Sequence, residues 1–525
     1  MFRNALLAGI LAAALPAALP AQDAAVAERY LEWVRTVIEK DQWDLAEEAL
    51  ERAADFSDVS SDLSYLLALA RDHRDRPRRM VLEALNNALA VSQWTLYSAE
   101  DARLLLAETL IAIRSFEEAL GCLDMAGESD RAISLRALAY RGLGDDRGFI
   151  QTITQALNQY PRSPEPVGIL FRYAANRIPA ADVRELVSMC LRRLPFLLLT
   201  DGELSFLAAP FIRDTEEARR LVSAYRAAGG TNPEGLPAAL NLGIIDDKEA
   251  ITELFGNGVL DKGLIETVRG LLRSGKGRED FADSLSRFTG TITEDLDRDG
   301  CSATGYREGA LISYSYDADR DRLPELEVVF SGGLPVRAEQ RDQSTVYLEW
   351  EQYPAVFRAE LEGVEYIPRP KEFFFKPLQF RDLLGSSLLY PEREWSTRIS
   401  RRTLVSFAHT IKQPGRVIPG SIEWIEMNGG VPIKSREYLR DTLVADTTYH
   451  LGQPVLQRID MDLDGRLETV RRWNDDGSIA SSLSDWDGDG IYEYGERYEG
   501  ETVIRSWDMD KDGTREYTET GVGDR

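Results

Sequence analysis

A chain of 525 residues is too long for one hydrophobic core, so about two to four domains are expected. With 43% hydrophobic and 29% charged residues it has the composition of a folded protein, which excludes a disordered chain. Its net charge of −26 argues against nucleic-acid binding, which needs clustered Lys and Arg to neutralise phosphates.

In chain order the first element expected is a leader. Arg3, an apolar run over 5–18, and Pro16 and Pro20 ahead of a cut near Ala21 read as a signal peptide over 1–21. No transmembrane segment is expected: 191–212 comes nearest, but Arg192, Arg193, Asp201 and Glu203 interrupt it. The chain should be exported, to the periplasm or the cell surface. Its three cysteines, Cys122, Cys190 and Cys301, are widely spaced and odd in number, so no disulfide framework or zinc site is readable. Export without structural disulfides fits a protein that gains rigidity in some other way, and a bound metal is one candidate.

From 22 onward the apolar pattern has helical period. Tyr30, Trp33, Val34 and Ile38 share a stripe, and a second short helix follows over 44–54. Gln42-Trp43-Asp44-Leu45-Ala46-Glu47-Glu48-Ala49-Leu50 is echoed by Ser115-Phe116-Glu117-Glu118-Ala119-Leu120, and Gly142-Leu143-Gly144 is followed by Ala156-Leu157 and Pro161. Over 22–166 these residues resemble the tetratricopeptide repeat. The resemblance implies antiparallel helix pairs, packed closely through Ala and Gly, and a concave surface that binds a protein partner. It departs between 60 and 96, where a charged stretch around Asp72, His73 and Arg74 replaces the usual tight turn. Helices over 181–194, 215–227, 248–255 and 261–272 continue the solenoid through 167–290 without the repeat signature.

Near Asp295 the period changes to two. Stretches 326–330, 346–350, 421–427 and 492–498 read as strands, punctuated by Gly332-Gly333, Gly429-Gly430, Gly477 and Gly500. The fold class is therefore α+β multidomain: an α-helical solenoid, then an antiparallel β-hairpin repeat or meander over 291–525. Segment 341–450 is the least regular part of it.

The organising motif lies near the C-terminal end, where Asp-x-Asp-x-Asp-Gly-x-x-Glu occurs three times. The copies are Asp460, Asp462, Asp464 and Glu468; Asp485, Asp487, Asp489 and Glu493; and Asp508, Asp510, Asp512 and Glu516. Acids at positions 1, 3 and 5 closed by Gly at 6 are how a chain wraps oxygens around Ca²⁺. Glu496 and Glu519 stand at position 12, where an EF-hand places its bidentate acid, whereas the first copy has Arg471 there. The loops thus resemble EF-hand calcium loops in their first half only, with strands rather than helices following. Asp295, Asp297 and Asp299 form an outlying copy without the later Glu. Another, from Asp317, keeps Glu325 but has Arg322 in place of Gly, which makes an ion there doubtful. Residues 455–525 carry 19 Asp and Glu against 9 Lys and Arg, as a cation-binding region or a solubilising surface would. Ca²⁺ is expected to be structural and weakly bound, with Kd on the order of 10⁻⁴ to 10⁻³ M.

No phosphate loop, dinucleotide fingerprint or histidine-based triad occurs, with only His73, His409 and His450 available. Three function classes stay open. The first, preferred, is a non-enzymatic scaffold or adaptor of the cell envelope that binds a protein partner through the helical arm. The second is a surface adhesin or glycan-binding protein using Trp350, Trp395 and Trp424. The third is a hydrolase with its catalytic residues in 341–450.

Overall fold

The computed structural model describes residues 20–53, 60–175, 180–296, 299–341, 344–382, 388–393 and 399–522. The signal peptide falls almost wholly outside them, as do Asp297 and Trp395. Among the described residues no helix is long and apolar enough to cross a membrane. The chain forms two compact units: Met1–Ser284 with Ile292–Ser302 and Asp317–Pro324, and Leu285–Thr291 with Ala303–Tyr316 and Glu325–Arg525.

The first unit is a solenoid of antiparallel helix pairs: Pro20–Ile38 with Trp43–Arg52, Ser61–His73 with Arg78–Val91, Ala99–Ala112 with Phe116–Met125, Asp130–Leu143 with Asp146–Gln159, and Glu165–Ala175 with Ala181–Leu197. Alanine at the contacts allows this closeness: Ala68, Ala84, Ala88, Ala102, Ala107 and Ala132 are all buried in one core cluster. At Gly142 a Cβ would meet the Phe116 ring at 2.3 Å, so this backbone has to be glycine for helix Asp130–Leu143 to lie on Phe116–Met125. The cores hand over through Leu67 and Leu69, and then through Leu138, each packed against two successive clusters. No pair buries its apolar face alone, as solenoid stacking requires.

Two details differ from the sequence reading. The buried stripe of the first helix is Ala27, Leu31, Val34 and Val37, while Trp33 stays exposed. Between 60 and 96 the repeat is not interrupted, because Ser61–His73 and Arg78–Val91 form an ordinary pair. The charged turn joining them supplies Arg74 and Arg76 to Glu47, which is only 3% exposed. The loop after that pair is tied down by Asp62, which is fully buried and accepts from the N–H groups of Thr95, Leu96 and Tyr97.

The second unit is an antiparallel meander. Strands Leu326–Ser331, Leu334–Arg341, Thr345–Gln352, Ala355–Leu361 and Val364–Pro368 pair in sequence, and Val364–Pro368 then pairs with Ala408–Pro414. From there Ile422–Asn428, Val431–Leu439, Thr442–His450, Gln453–Ile459, Thr469–Trp473, Ile479–Ser484, Tyr494–Glu499, Thr502–Trp507 and Tyr517–Val522 each pair with the next. Two-residue turns with both φ positive join many of them, as at Gly429-Gly430 (58° and 82°), and they match the twist of the flanking strands.

The insertion between Val364–Pro368 and Ala408–Pro414 adds Phe373, Leu378, Tyr390 and Leu404 to the buried apolar residues of this unit. It carries the hairpin Leu378–Asp382 with Leu389–Arg393 and the helix Arg401–Phe407. Phe380 stacks edge-on against Phe330 and Tyr353, Phe373 lies on Phe407, and Tyr306 donates to the Leu389 carbonyl. Segment 341–450 is thus part of the meander with its own cover, and Trp350 is buried beneath it, its indole N–H donating to the Phe375 carbonyl. Trp350 is no exposed platform. Trp424 is 43% exposed, with the Lys412 ammonium 4.2 Å from its ring centroid. Past Ile459 the apolar core runs out: Val503 is the last buried hydrophobic among the described residues. Strands 469–522 are therefore held by ladder hydrogen bonds, aromatic rows and whatever fixes their loops.

Candidate metal centre

The three acidic loops connect Gln453–Ile459 to Thr469–Trp473, Ile479–Ser484 to Tyr494–Glu499, and Thr502–Trp507 to Tyr517–Val522. In a meander, alternate connections leave the sheet at the same end, so the loops stand in a row about 10 Å apart, two strand spacings each. They touch. Arg466 of the first loop approaches the Asp487 carbonyl at 3.4 Å, and Arg515 of the third donates to the Tyr492 carbonyl at 2.7 Å.

Each loop is built by the same hydrogen bonds. The position-1 carboxylate accepts from the position-6 glycine N–H: Asp460 from Gly465 (2.9 Å), Asp485 from Gly490 (2.9 Å) and Asp508 from Gly513 (2.8 Å). The position-5 carboxylate accepts from the N–H two residues on, and the position-9 glutamate reaches back to the N–H of Met461, Trp486 or Met509. Gly465, Gly490 and Gly513 have φ of 94°, 94° and 87°, which glycine adopts without a Cβ penalty.

This folding brings one carboxylate oxygen from each of Asp460, Asp462, Asp464 and Glu468 to within 4.8 Å of one another; Asp485, Asp487, Asp489 and Glu493 do likewise, as do Asp508, Asp510, Asp512 and Glu516. Four acids so close repel each other unless a cation lies among them. Two oxygens make the point sharply. Glu468 Oε2 and Asp508 Oδ1 are buried and have no hydrogen-bond partner among the described residues, and Asp508 is 3% exposed. An unpaired buried carboxylate oxygen is costly, and a cation held among the clustered acids would satisfy it. In the second loop Lys511 partly plays that role, pairing with Asp487 and lying 3.4 Å from Glu493, and it pulls the Asp487 carboxyl below the usual range.

The position-12 acids stand apart from these clusters. Glu496 lies on strand Tyr494–Glu499 and accepts from the hydroxyls of Tyr494 (2.7 Å) and Tyr498 (2.5 Å) and from Arg505 (3.3 Å). Burial opposes its charge, but those donors hold its carboxyl below the ordinary range, and the two tyrosines are pushed up to about 12. Glu519 is on the last strand, opposite Arg505. In the outlying copy the Asp295 carboxylate is paired with Arg320 and lies 3.8 Å from Arg114.

Sequence reasoning missed two features. Position 4 also has positive φ, in Leu463 (64°), Gly488 (74°), Lys511 (61°) and Arg320 (64°), although only one copy places glycine there. The degenerate copy also folds as the others do. Arg322 takes φ 66° in place of glycine, and its N–H donates to Asp317 at 2.9 Å. The retained Glu at position 9 was the available signal. The Arg322 side chain is held by Asp72 (2.9 Å) and Asp75 (3.3 Å).

No family model matches the chain. An uncharacterized protein of Treponema pallidum (strain Nichols) is 22% identical, over 90% of this chain and 76% of its own. Similar solved structures include a tetratricopeptide repeat protein from Parabacteroides merdae (13% identity, 50% of this chain and 97% of that one, TM-score 0.34). Two others are Pseudomonas aeruginosa pilF (14%, 48% and 95%, 0.27) and the yeast Tom70 (12%, 46% and 57%, 0.25).

Proposed function

We propose that this chain is an exported, non-enzymatic scaffold: a helical arm that docks a protein partner, joined to a β-sheet whose far end is stiffened by Ca²⁺. The observation that carries the calcium reading is the pair of buried carboxylate oxygens without a hydrogen-bond partner among the described residues, Glu468 Oε2 and Asp508 Oδ1, inside four-acid clusters of like construction. Ca²⁺ suits them better than Mg²⁺, because it accepts several carboxylates in flexible geometry while Mg²⁺ keeps its water. The ion is assigned a structural part because the sheet past Ile459 has almost no apolar core to hold it. The arm is assigned a docking part from its stacked helix pairs, which offer exposed Phe196 (75%) and Leu199 (84%). Export is supported by Arg3 and the apolar run that follows it.

A scaffold is favoured over a hydrolase because the buried acids of 341–450 are engaged structurally. Glu437 accepts from the N–H groups of Arg416, Val417 and Ile418 and from the Ser421 hydroxyl, fixing that loop. Calorimetric titration of the full chain, stripped with chelator, tests the calcium reading. Binding of about three ions in the Kd range of extracellular calcium modules is expected, and absence of heat at millimolar calcium overturns it. A photo-crosslinker at Phe196 should give one discrete adduct in the envelope, and a diffuse background argues against an arm that docks a partner.

A further inference from the structure

We propose that the loop end of the C-terminal sheet is a calcium-dependent docking surface for an anionic phospholipid membrane; this rests on the calcium reading above. Position 2 of each acidic loop gives the acid cluster only its backbone N–H, and its large apolar side chain is left in solvent: Met461 is 53% exposed, Trp486 60% and Met509 76%. Leu463, at position 4 of the first loop, is 49% exposed. The loops stand side by side at one end of the sheet, so these four side chains form a row along the tips. Solitary exposed apolar residues need no explanation, but a row at equivalent positions of a repeat marks a contact surface.

The chemistry of the row selects the partner. Met and Leu are flexible and apolar, suited to the disordered top of an acyl layer, and Trp favours the boundary between acyl chains and headgroups. The Trp486 ring lies nearly parallel to Tyr494 (13°, centroids 5.7 Å apart), so one of its faces is already covered. That favours a lipid over a sugar stacked on flat rings. The acids supply the switch. Asp462, Asp464, Asp487, Asp489, Asp510 and Asp512 are exposed beside the apolar tips, and without cations they repel an anionic surface. Four acids do not exhaust the 6 to 8 or so oxygens that Ca²⁺ takes, and the ligands of each loop come from a single segment. A phosphate oxygen of a headgroup can complete the shell from the open side while the tips enter the acyl boundary.

The test is flotation of the full chain with vesicles of phosphatidylcholine alone or mixed with phosphatidylserine, in calcium, in magnesium and in chelator, with calcium titration of the same samples. The expected result is capture by the mixed vesicles in calcium only, weakened by about tenfold or more in Trp486→Ser/Met509→Ser, with calcium binding by that variant unchanged. If calcium binds but no vesicle does, or if the double variant floats like the parent, the lipid proposal falls and the calcium reading stands. Equal binding to both vesicle types, or retention on a glycan matrix instead, also overturns it. If no calcium binds, the earlier reading fails first.

Discussion

Replacing Asp508 by asparagine should have opposite consequences with and without calcium. Asp508 is 3% exposed, its Oδ2 accepts from Gly513, and its Oδ1 has no partner among the described residues. In chelator the substitution keeps an oxygen for Gly513 and removes one of four mutually repelling charges, so local stability should be unchanged or higher. In calcium it removes a ligand. A site with Kd on the order of 10⁻⁴ to 10⁻³ M, supplied with about a 10- to 100-fold excess of ion, contributes roughly 1.4 to 2.7 kcal/mol to the folded form. Most of this should vanish. Amide hydrogen exchange of strands Thr502–Trp507 and Tyr517–Val522, which flank the loop, reads that local opening free energy. Equal loss of protection in calcium and in chelator would refute the reasoning, because Asp508 would then be acting through its hydrogen bond alone.

Three other outcomes follow from named contacts. Asp62→Ala removes a fully buried carboxylate that accepts three backbone N–H bonds, and it should cost about 3 kcal/mol or more in urea unfolding. Lys511→Met takes the competing ammonium from the second loop and should raise its calcium affinity several-fold by titration, where unchanged affinity counts against ion binding at Asp487. Glu496 has a lowered folded-state pKa, so its contribution is present above the ordinary glutamate value near 4.3 and is lost as pH falls through the lower one. Acid denaturation of Glu496→Gln should therefore depend less steeply on pH than that of the parent, and identical profiles would contradict the assignment.

What could be read in the sequence was what depends on near neighbours in the chain. Asp460, Asp462, Asp464 and Gly465 announce a loop because their chemistry and spacing are local, and Gly429-Gly430 announces a tight turn for the same reason. The hairpin at Arg440-Asp441, with φ of 48° and 71°, carries no such signal, since the strands on either side force those angles. Nor does the left-handed backbone at Leu463 and Lys511, which the acid hydrogen bonds impose. Glu47 and Asp62 look like surface residues until the helices that bury them are placed. Trp350 looks like an exposed platform until a segment 25 residues later closes over it. Position 12 misled because the EF-hand spacing presumes a helix after the loop, whereas here a strand carries Glu496 away toward Tyr498 and Arg505.

The most direct measurement is the anomalous difference density of crystals grown with calcium. The account predicts peaks about 2.3–2.6 Å from oxygens of Asp460, Asp485 and Asp508 and their clustered partners, with Lys511 turned out of the second loop. Loops without peaks at millimolar calcium, with Lys511 still on Asp487, would contradict it.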